Sequence, residues 1–202
     1  MENIILASGS PRREEFLRIL GLPFSSIPSN IDESYETGDE PGKIVEELAK
    51  RKVIKTLEII GYQGEMRQNH EALWICGADT LISLNGEIFG KPHDREDARR
   101  MLCAFSGSSH EVISAIALYN VRAKTMDCRS FSSVVTFAPI SKQEIEWYLD
   151  SGEWQDAAGA YKIQGKASCF ISGISGSYSN IVGLPLREFY VMLRDNGYRY
   201  GG

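Results

Sequence analysis

The sequence has few cysteines, no long apolar run and no basic cluster, and each absence excludes a class of protein. Its four cysteines stand far apart and show no zinc-binding spacing. No apolar run approaches the ~20 residues that span a bilayer, and an acidic residue directly after Met1 argues against a signal peptide. The net charge is −5, so a nucleic-acid backbone is not an expected partner. We therefore predict a cytoplasmic protein that binds neither membranes nor nucleic acid.

The composition that is present suits one folded domain. The chain has 202 residues, 43% of them hydrophobic, which is enough for one substantial core. No repeat or polar linker divides it, so we predict a single domain over residues 1–202. Cys76 and Cys169 lie in apolar runs and are predicted to be buried, reduced thiols. Strand and helix patterns alternate at first, and two longer strand patterns follow, which predicts an α/β fold with a mixed sheet.

The N-terminal stretch has the pattern of a strand, a short loop and a helix. Residues 4–7 are apolar and predict a buried strand, and Pro11 suits the first position of a helix with Ser10 as its N-cap. A helix N-terminus favours anions. The polar side chains available there are Ser8, Ser10, Arg12 and Arg13. Two interpretations stay open, a phosphate-binding loop or an ordinary strand–helix unit with solvated arginines.

A lysine lies on the apolar side of the next predicted helix, which covers residues 41–60. The apolar positions of that helix are Val45, Leu48, Ala49, Val53, Leu57 and Ile60. Lys52 falls on the same stripe, three residues after Ala49. An unpaired buried ammonium is unfavourable. Lys52 therefore either extends its amine past the edge of the core or directs it into a site where an anion compensates the charge.

A carboxylate follows the next predicted strand. Ala72–Cys76 predicts a buried strand, the small residues from Gly77 predict a break, and Thr80–Leu84 predicts a second strand before the Asn85-Gly86 hairpin turn. Asp79 would then lie in a loop between two apolar strands. A carboxylate there needs hydrogen bonds, a cation or a metal. Structural aspartates are common in turns, but the hairpin has its own turn residues, so we favour a functional Asp79.

Eight motifs in one order resemble the Maf family of nucleoside triphosphate pyrophosphatases. They are Ser8-Gly9-Ser10-Pro11-Arg12-Arg13, Ile31-Asp32-Glu33, Leu48-Ala49 with Lys52, Gly77-Ala78-Asp79-Thr80, Gly90-Lys91-Pro92, Ser106-Gly107 with His110, Ala158-Gly159-Ala160-Tyr161 with Ile163-Gln164-Gly165, and Val182-Gly183-Leu184-Pro185. The resemblance implies a twisted mixed sheet flanked by helices, with two lobes around a cleft as in inosine triphosphate pyrophosphatases. It also implies cleavage between the α- and β-phosphates with release of pyrophosphate, and a homodimer.

The resemblance also implies roles for individual residues. Phosphate oxygens would be bound by Ser8, Ser10, Arg12, Arg13, Lys52 and Lys91. Glu33 and Asp79 would hold Mg²⁺, for which Mn²⁺ can substitute, and Asp79 would orient or deprotonate the attacking water. Lys52 and Lys91 would join Asp79 in catalysis. His110, at the start of a strand, is assigned a structural role.

Three residues narrow the resemblance to one subfamily. Arg12, Thr80 and Gln164 match the group that acts on dTTP, UTP and some modified pyrimidine triphosphates, so Thr80 and Gln164 are predicted to bind substrate. Gln164 carries a donor and an acceptor that can pair with one edge of a pyrimidine. The chain departs from this group in a long polar loop at residues 61–71. The alternative function is a nucleotide-binding regulator of cell division with little turnover.

Overall fold

The computed structural model describes residues 1–35, 38–62 and 72–200, so residues 63–71 of the predicted polar loop lie outside the described residues. The chain divides into two compact units. The first contains Met1–Asp79, Ala115–Ser130 and Gly183–Gly202, and the second contains Thr80–Ser114 and Phe131–Val182. Each unit therefore joins stretches that are distant in the sequence. Within the described ranges, no helix is both long and apolar enough to cross a membrane.

The described strands form one mixed sheet. They are β1 (Asn3–Leu6), β2 (Phe24–Ser26), β3 (Ala72–Leu84), β4 (Glu87–Phe89), β5 (Ser109–Asn120), β6 (Thr125–Phe137) and β7 (Ile171–Ser175). Their order is β2-β1-β3-β5-β6-β7, and β4 pairs with β3. β1 is parallel to β2 and β3, whereas β4 and β7 are antiparallel to their neighbours. The predicted α/β class with a mixed sheet is confirmed.

Six α-helices accompany the sheet in the described part of the chain. They are α1 (Pro11–Ile19), α2 (Pro41–Tyr62), α3 (Arg95–Phe105), α4 (Lys142–Asp150), α5 (Tyr178–Val182) and α6 (Leu186–Asp195), with short 3₁₀ turns at Ala158–Ala160 and Lys166–Phe170. Pro11 is the first residue of α1, as predicted. The Ser141 side chain and Glu144 form a capping box at the start of α4. α5 has only five residues, too few for a periodic apolar pattern to indicate it in the sequence.

The predicted break after Cys76 is wrong, because β3 continues through Gly77 and Asp79 to Leu84. The glycine at position 77 has a different structural reason. A Cβ atom at this position would lie 2.3 Å from the Ala49 carbonyl oxygen and 2.9 Å from Val53 Cγ2. α2 therefore packs directly on the backbone of β3, and the glycine permits that approach rather than a turn. Asp79 consequently lies inside a strand and not in a loop.

The thiol predictions are confirmed for Cys76 and wrong for Cys169. Cys76 is fully buried in β3, and burial raises the pKa of its thiol to about 12. Cys169 is exposed and belongs to the 3₁₀ turn Lys166–Phe170. In that turn Ala167 and Phe170, three residues apart, take the buried face. Cys169 is left on the outer side, although its sequence neighbours are apolar.

Aromatic rings form the core of the second unit around His110. The ring centroid of Phe105 lies 4.3 Å from that of His110, and Phe137 lies 5.3 Å from it. His110 Nε2 is 2.8 Å from the Tyr161 hydroxyl oxygen. Burial lowers the pKa of His110 to about 4, so the imidazole is neutral at pH 7. These contacts are consistent with the structural role assigned to His110.

Candidate active site

The amine of Lys52 lies between two carboxylates. Lys52 Nζ is 2.5 Å from Asp79 Oδ1 and 2.9 Å from Glu33 Oε1. The side chains of Lys52 and Asp79 are only 9% and 11% exposed, whereas that of Glu33 is 50% exposed. Lys52 therefore does not extend its amine into solvent. It directs the amine toward anionic partners, and in this structure those partners are carboxylates of the protein.

The packing of α2 on β3 explains why these side chains meet. Alternate residues of a strand share a face, so Gly77 and Asp79 point to the same side of β3. Gly77 contacts Ala49 of α2. Lys52 lies three residues beyond Ala49, and residues with this spacing are neighbours on a helix surface. The close approach at Gly77 thus brings Lys52 against Asp79.

Arg51 holds the segment that carries Glu33. Its Nη1 donates to the Ser34 carbonyl oxygen at 3.2 Å, and its Nη2 donates to the Asp32 carbonyl oxygen. The backbone on both sides of Glu33 is therefore bound to α2, one residue before Lys52. This role of Arg51 is not predicted by the sequence. Arg51 lies off the apolar stripe, and nothing in its local pattern distinguishes it from a solvated arginine.

The loop between β1 and α1 forms the second part of the site. Ser8 is buried, and its Oγ accepts hydrogen bonds from Ser10 N at 3.1 Å and from Arg13 Nη1 at 3.3 Å. Burial lowers the pKa of the Arg13 guanidinium, and the negative charge of Asp79 opposes that shift. Arg12 is half-buried in the first turn of α1. Hydroxyls, guanidinium groups and a helix N-terminus thus meet in a form that suits phosphate.

Two strands bring this loop to the carboxylates. β1 and β3 are parallel, with Leu6 opposite Cys76, and Ala7 N donates to the Cys76 carbonyl oxygen at 2.8 Å. Ser8 directly follows this pair on one strand, and Asp79 lies shortly after it on the other. Arg13 also donates from Nε to the Gly183 carbonyl oxygen at 2.9 Å. That bond, unforeseen from the sequence, fixes the Val182-Gly183-Leu184-Pro185 motif beside the loop.

The other three predicted residues belong to the second unit. Thr80 is half-buried, and its Oγ1 lies 2.8 Å from Ser114 Oγ. Lys91 and Gln164 are exposed. Gly159 N donates to the Gly90 carbonyl oxygen at 2.9 Å, which brings the loop of Lys91 against the 3₁₀ turn Ala158–Ala160. The predicted residues therefore divide between the units, with Ser8, Ser10, Arg12, Arg13, Glu33, Lys52 and Asp79 in the first.

The donor set of the first unit fits a magnesium ion. Glu33 and Asp79 present carboxylate oxygens to the same ammonium group, so both reach the place where one cation is held. Mg²⁺ prefers oxygen ligands and is usually bound by one or two carboxylates together with substrate phosphates. No group of three or more His, Cys, Asp or Glu is close enough to hold a metal among the residues the structure describes. A pair of carboxylates, with the remaining ligands supplied by substrate phosphates and water, is the ligand set that Mg²⁺ usually has in proteins.

Comparisons with known proteins agree across nearly the whole chain. The family model described as Maf-like protein matches residues 3–196. A protein of Symbiobacterium thermophilum is 43% identical over 198 residues, covering 98% of this chain and 96% of its own length. Proteins of Hahella chejuensis and Treponema denticola are each 44% identical, covering 96% and 98% of this chain and 92% and 99% of their own lengths. All three are named dTTP/UTP pyrophosphatase.

A comparison with solved structures finds a weaker similarity. The Staphylococcus aureus Ham1 protein matches 68% of this chain and 72% of its own, with a TM-score of 0.42 and 14% identity. A likeness of this size supports no conclusion about this chain. The fold class rests on the sheet and helices described above.

Proposed function

Because the chain belongs to the Maf-like protein family, we propose that it is a pyrophosphatase that hydrolyses dTTP and UTP. Water hydrolyses the anhydride bond between the α- and β-phosphates, and the products are a nucleoside monophosphate and pyrophosphate. Modified pyrimidine triphosphates are further candidate substrates, which would give the enzyme a role in cleaning the nucleotide pool. The observation that carries the proposal is the buried Lys52–Asp79 ion pair with Glu33, next to a loop built for phosphate.

The residues of the first unit have distinct tasks in this reaction. The N–H groups at the start of α1, with Ser8, Ser10, Arg12 and Arg13, bind and orient phosphate oxygens. Asp79 accepts a proton from the attacking water or orients it. Lys52 holds both carboxylates and adds positive charge near the phosphates. Lys91 is proposed to supply a further cation for the triphosphate. Fixed charges of this kind stabilise the transferring phosphoryl group.

Glu33 and Asp79 are the residues that would hold Mg²⁺ or Mn²⁺. The bound ion lowers the pKa of water and neutralises phosphate charge. We expect pyrophosphate release to stop when a chelator removes divalent ions and to return with Mg²⁺ or Mn²⁺, but not with Ca²⁺, which takes more ligands at longer distances. Full activity in excess chelator would contradict the assignment.

Gln164 is proposed to select the base. Thymine and uracil present two carbonyl acceptors on either side of one N–H donor, and an amide side chain offers both partners. Replacing Gln164 with Glu removes the donor and adds a charge. We expect the preference for dTTP over ATP, measured as the ratio of kcat/KM, to fall about tenfold or more while the folded fraction is unchanged. A preserved ratio would assign base choice to the shape of the pocket.

We also propose that the enzyme works in the cytoplasm as a homodimer. Light scattering of the purified protein tests the second point, since a monomer would contradict it.

A panel of nucleotides tests the function as a whole. The purified protein is incubated with Mg²⁺ and dTTP, UTP, ATP, GTP or 7-methyl-GTP, and pyrophosphate release is measured. We expect fast turnover of dTTP and UTP and slow turnover of the others. Equal or better kcat/KM for 7-methyl-GTP would contradict the subfamily. Tight nucleotide binding without any pyrophosphate release would instead favour the regulator of cell division.

A further inference from the structure

The Lys52 ammonium lies where a cation shared by Asp79 and Glu33 would lie. Its Nζ is 2.5 Å from Asp79 Oδ1 and 2.9 Å from Glu33 Oε1. The contact with Asp79 is a buried hydrogen bond as well as an ion pair. The chain thus supplies a positive charge of its own to the carboxylates that are proposed to bind the metal ion.

Burial makes this place unsuitable for two cations at once. Lys52 and Asp79 are both buried, so solvent screens a further charge beside them only weakly. A Mg²⁺ ion bound to Asp79 Oδ1 at the usual oxygen distance would lie within about 5 Å of Lys52 Nζ. A divalent ion and an ammonium repel each other strongly at that distance in a partly buried site. The two cations therefore compete for the same carboxylate.

The Lys52 ammonium needs another acceptor before it can release Asp79, since an unpaired buried ammonium is unfavourable. The loop after β1 is joined to the strand of Asp79, because Ala7 N donates to the Cys76 carbonyl oxygen at 2.8 Å. Burial lowers the pKa of the Arg13 guanidinium in that region, and the charge of Asp79 opposes this shift. Phosphate oxygens are strong acceptors for an ammonium. A triphosphate held by the loop would therefore supply the acceptor.

We propose that Lys52 competes with the divalent ion for Asp79 and Glu33, so that the ion binds weakly until a triphosphate takes over the ammonium. This inference rests on the proposed function and concerns the regulation of the same site. Before substrate binds, the ammonium balances the charge of the carboxylates. When phosphate oxygens pair with the ammonium, the carboxylates become available to the ion. Lys52 thus couples metal binding to substrate binding.

Metal binding in the absence of nucleotide tests this competition. Mn²⁺ is titrated into the purified protein, and free Mn²⁺ is measured by electron paramagnetic resonance. For the wild type we expect a Kd of about 1 mM or weaker, in the range of weak carboxylate sites. Lys52→Met removes the competing charge, so its Kd should be lower by about tenfold or more. Lys52→Gln keeps a hydrogen-bonding side chain without the charge, and its Kd should fall similarly.

Thermal stability gives a second measurement. Lys52→Met leaves Asp79 buried without a cation, and bound Mn²⁺ replaces that charge. At about 1 mM Mn²⁺, the Tm of this variant should rise by about 3 °C or more, against less than about 1 °C for the wild type. Adding Asp79→Asn to Lys52→Met should abolish the gains in affinity and Tm, because a ligand is lost.

Lys55→Met is the matched control. Lys55 lies on the same helix and pairs with Glu58 at an exposed surface, at 3.0 Å. Its removal should leave the Mn²⁺ affinity and the effect of Mn²⁺ on Tm at the wild-type values.

The competition is overturned if Lys52→Met and Lys52→Gln bind Mn²⁺ no more tightly than the wild type, or if Lys55→Met gains as much affinity. It is also overturned if the gain survives the addition of Asp79→Asn, because the ion would then bind elsewhere. Wild-type binding several-fold tighter than expected contradicts it without any variant. The proposed function is judged separately, by pyrophosphate release from dTTP, since the Mn²⁺ titrations contain no nucleotide.

Discussion

A buried ammonium shared by two carboxylates makes Lys52 and Asp79 dependent on each other. Taking a charge out of water is unfavourable unless a partner compensates it, and each of these side chains is the main compensation of the other. Glu33, which is half-exposed, keeps its hydration and depends less on the pair. Substitutions at the buried positions are therefore expected to affect stability and activity in different proportions.

Asp79→Asn separates the chemical role of the carboxylate from its size. The amide still accepts a hydrogen bond from Lys52 but cannot take a proton from water or bind a cation as strongly. We expect the rate of pyrophosphate release to fall about a hundredfold or more while the protein stays folded. Asp32→Asn, at an exposed carboxylate next to Glu33, serves as the control and should retain activity. Turnover by Asp79→Asn within a few-fold of wild type would exclude the role as base and ligand.

Lys52→Met removes the amine and keeps an apolar stem. Asp79 would then be buried without its cation, so we expect the free energy of unfolding in urea to fall by about 3 kcal/mol. Adding Asp79→Asn should recover part of that loss, since the orphaned charge disappears. Lys55→Met is the control, because Lys55 pairs with Glu58 at an exposed surface and should change stability by less than about 0.5 kcal/mol. Equal losses in both lysine variants would contradict a buried ion pair.

At the scale of elements, the contact between α2 and β3 decides whether the site forms. The backbone of Ala49 approaches Gly77 so closely that no side chain fits between them. Any larger residue at position 77 has to displace α2, and Lys52 would move with the helix. The geometry of the ion pair is therefore a consequence of helix packing as much as of the charged residues.

Gly77→Ala tests this dependence. Its methyl group would overlap the Ala49 carbonyl oxygen, and we expect a loss of about 1–3 kcal/mol in the free energy of unfolding together with a clear loss of kcat. Gly61→Ala is the control. Gly61 also belongs to α2, and a Cβ atom added there would have no described atom within 4 Å. It should be neutral or stabilise by up to about 1 kcal/mol. A fully active, stable Gly77→Ala protein would show that the helix does not have to lie this close.

Sequence patterns predicted the elements whose signals are local. Pro11 opens α1 where its prediction placed it, and the N-caps of α3 and α4 are likewise residues whose preference is local, Asp94 and Ser141. The error in β3 arose because small residues also occur where a helix crosses a strand, and a sequence does not distinguish that use of Gly77 from a turn. β2 ends at Ser26, where its pairing with β1 ends.

The site was predictable to the extent that its residues form local motifs. The strand, loop and helix around Ser8 follow from the local sequence pattern, and Lys52 was indicated by its position on an apolar stripe. The partners that complete the arrangement are distant in sequence. The bonds from Arg13 to Gly183 and from Arg51 to the backbone around Glu33 depend on tertiary packing, and no local pattern indicates them.

For the molecule as a whole, His110 makes stability depend on pH. The imidazole is buried among aromatic rings, and its pKa is about 4 in the folded protein, against an ordinary value of 6.5. Below pH 6.5 the unfolded chain therefore binds a proton that the folded protein does not. The contribution of His110 to the free energy of unfolding is therefore complete above pH 6.5 and is lost as the pH falls toward about 4.

His110→Gln should reduce this dependence. From pH 7 to pH 5 the wild-type free energy of unfolding should fall by about 2 kcal/mol more than that of the variant, because glutamine does not titrate. Urea unfolding at the two pH values measures the difference. His93→Gln is the control, because His93 is exposed. The free energy of unfolding of this variant should fall between the two pH values as much as that of the wild type. Parallel losses in wild type and His110→Gln would assign the acid sensitivity to other groups.

The pairing of β1 with two strands has a consequence for the order in which the protein folds. β1 meets β2 through a short connection, at Ile4 and Phe24, but it meets β3 at Leu6 and Cys76 through a much longer one. Longer loops are closed more slowly and at a greater loss of entropy. We expect the loop after β1 to take shape early, and Lys52 to reach Asp79 only when β3 docks. In refolding from urea, helical circular dichroism should recover before catalytic activity, and simultaneous recovery would contradict this order.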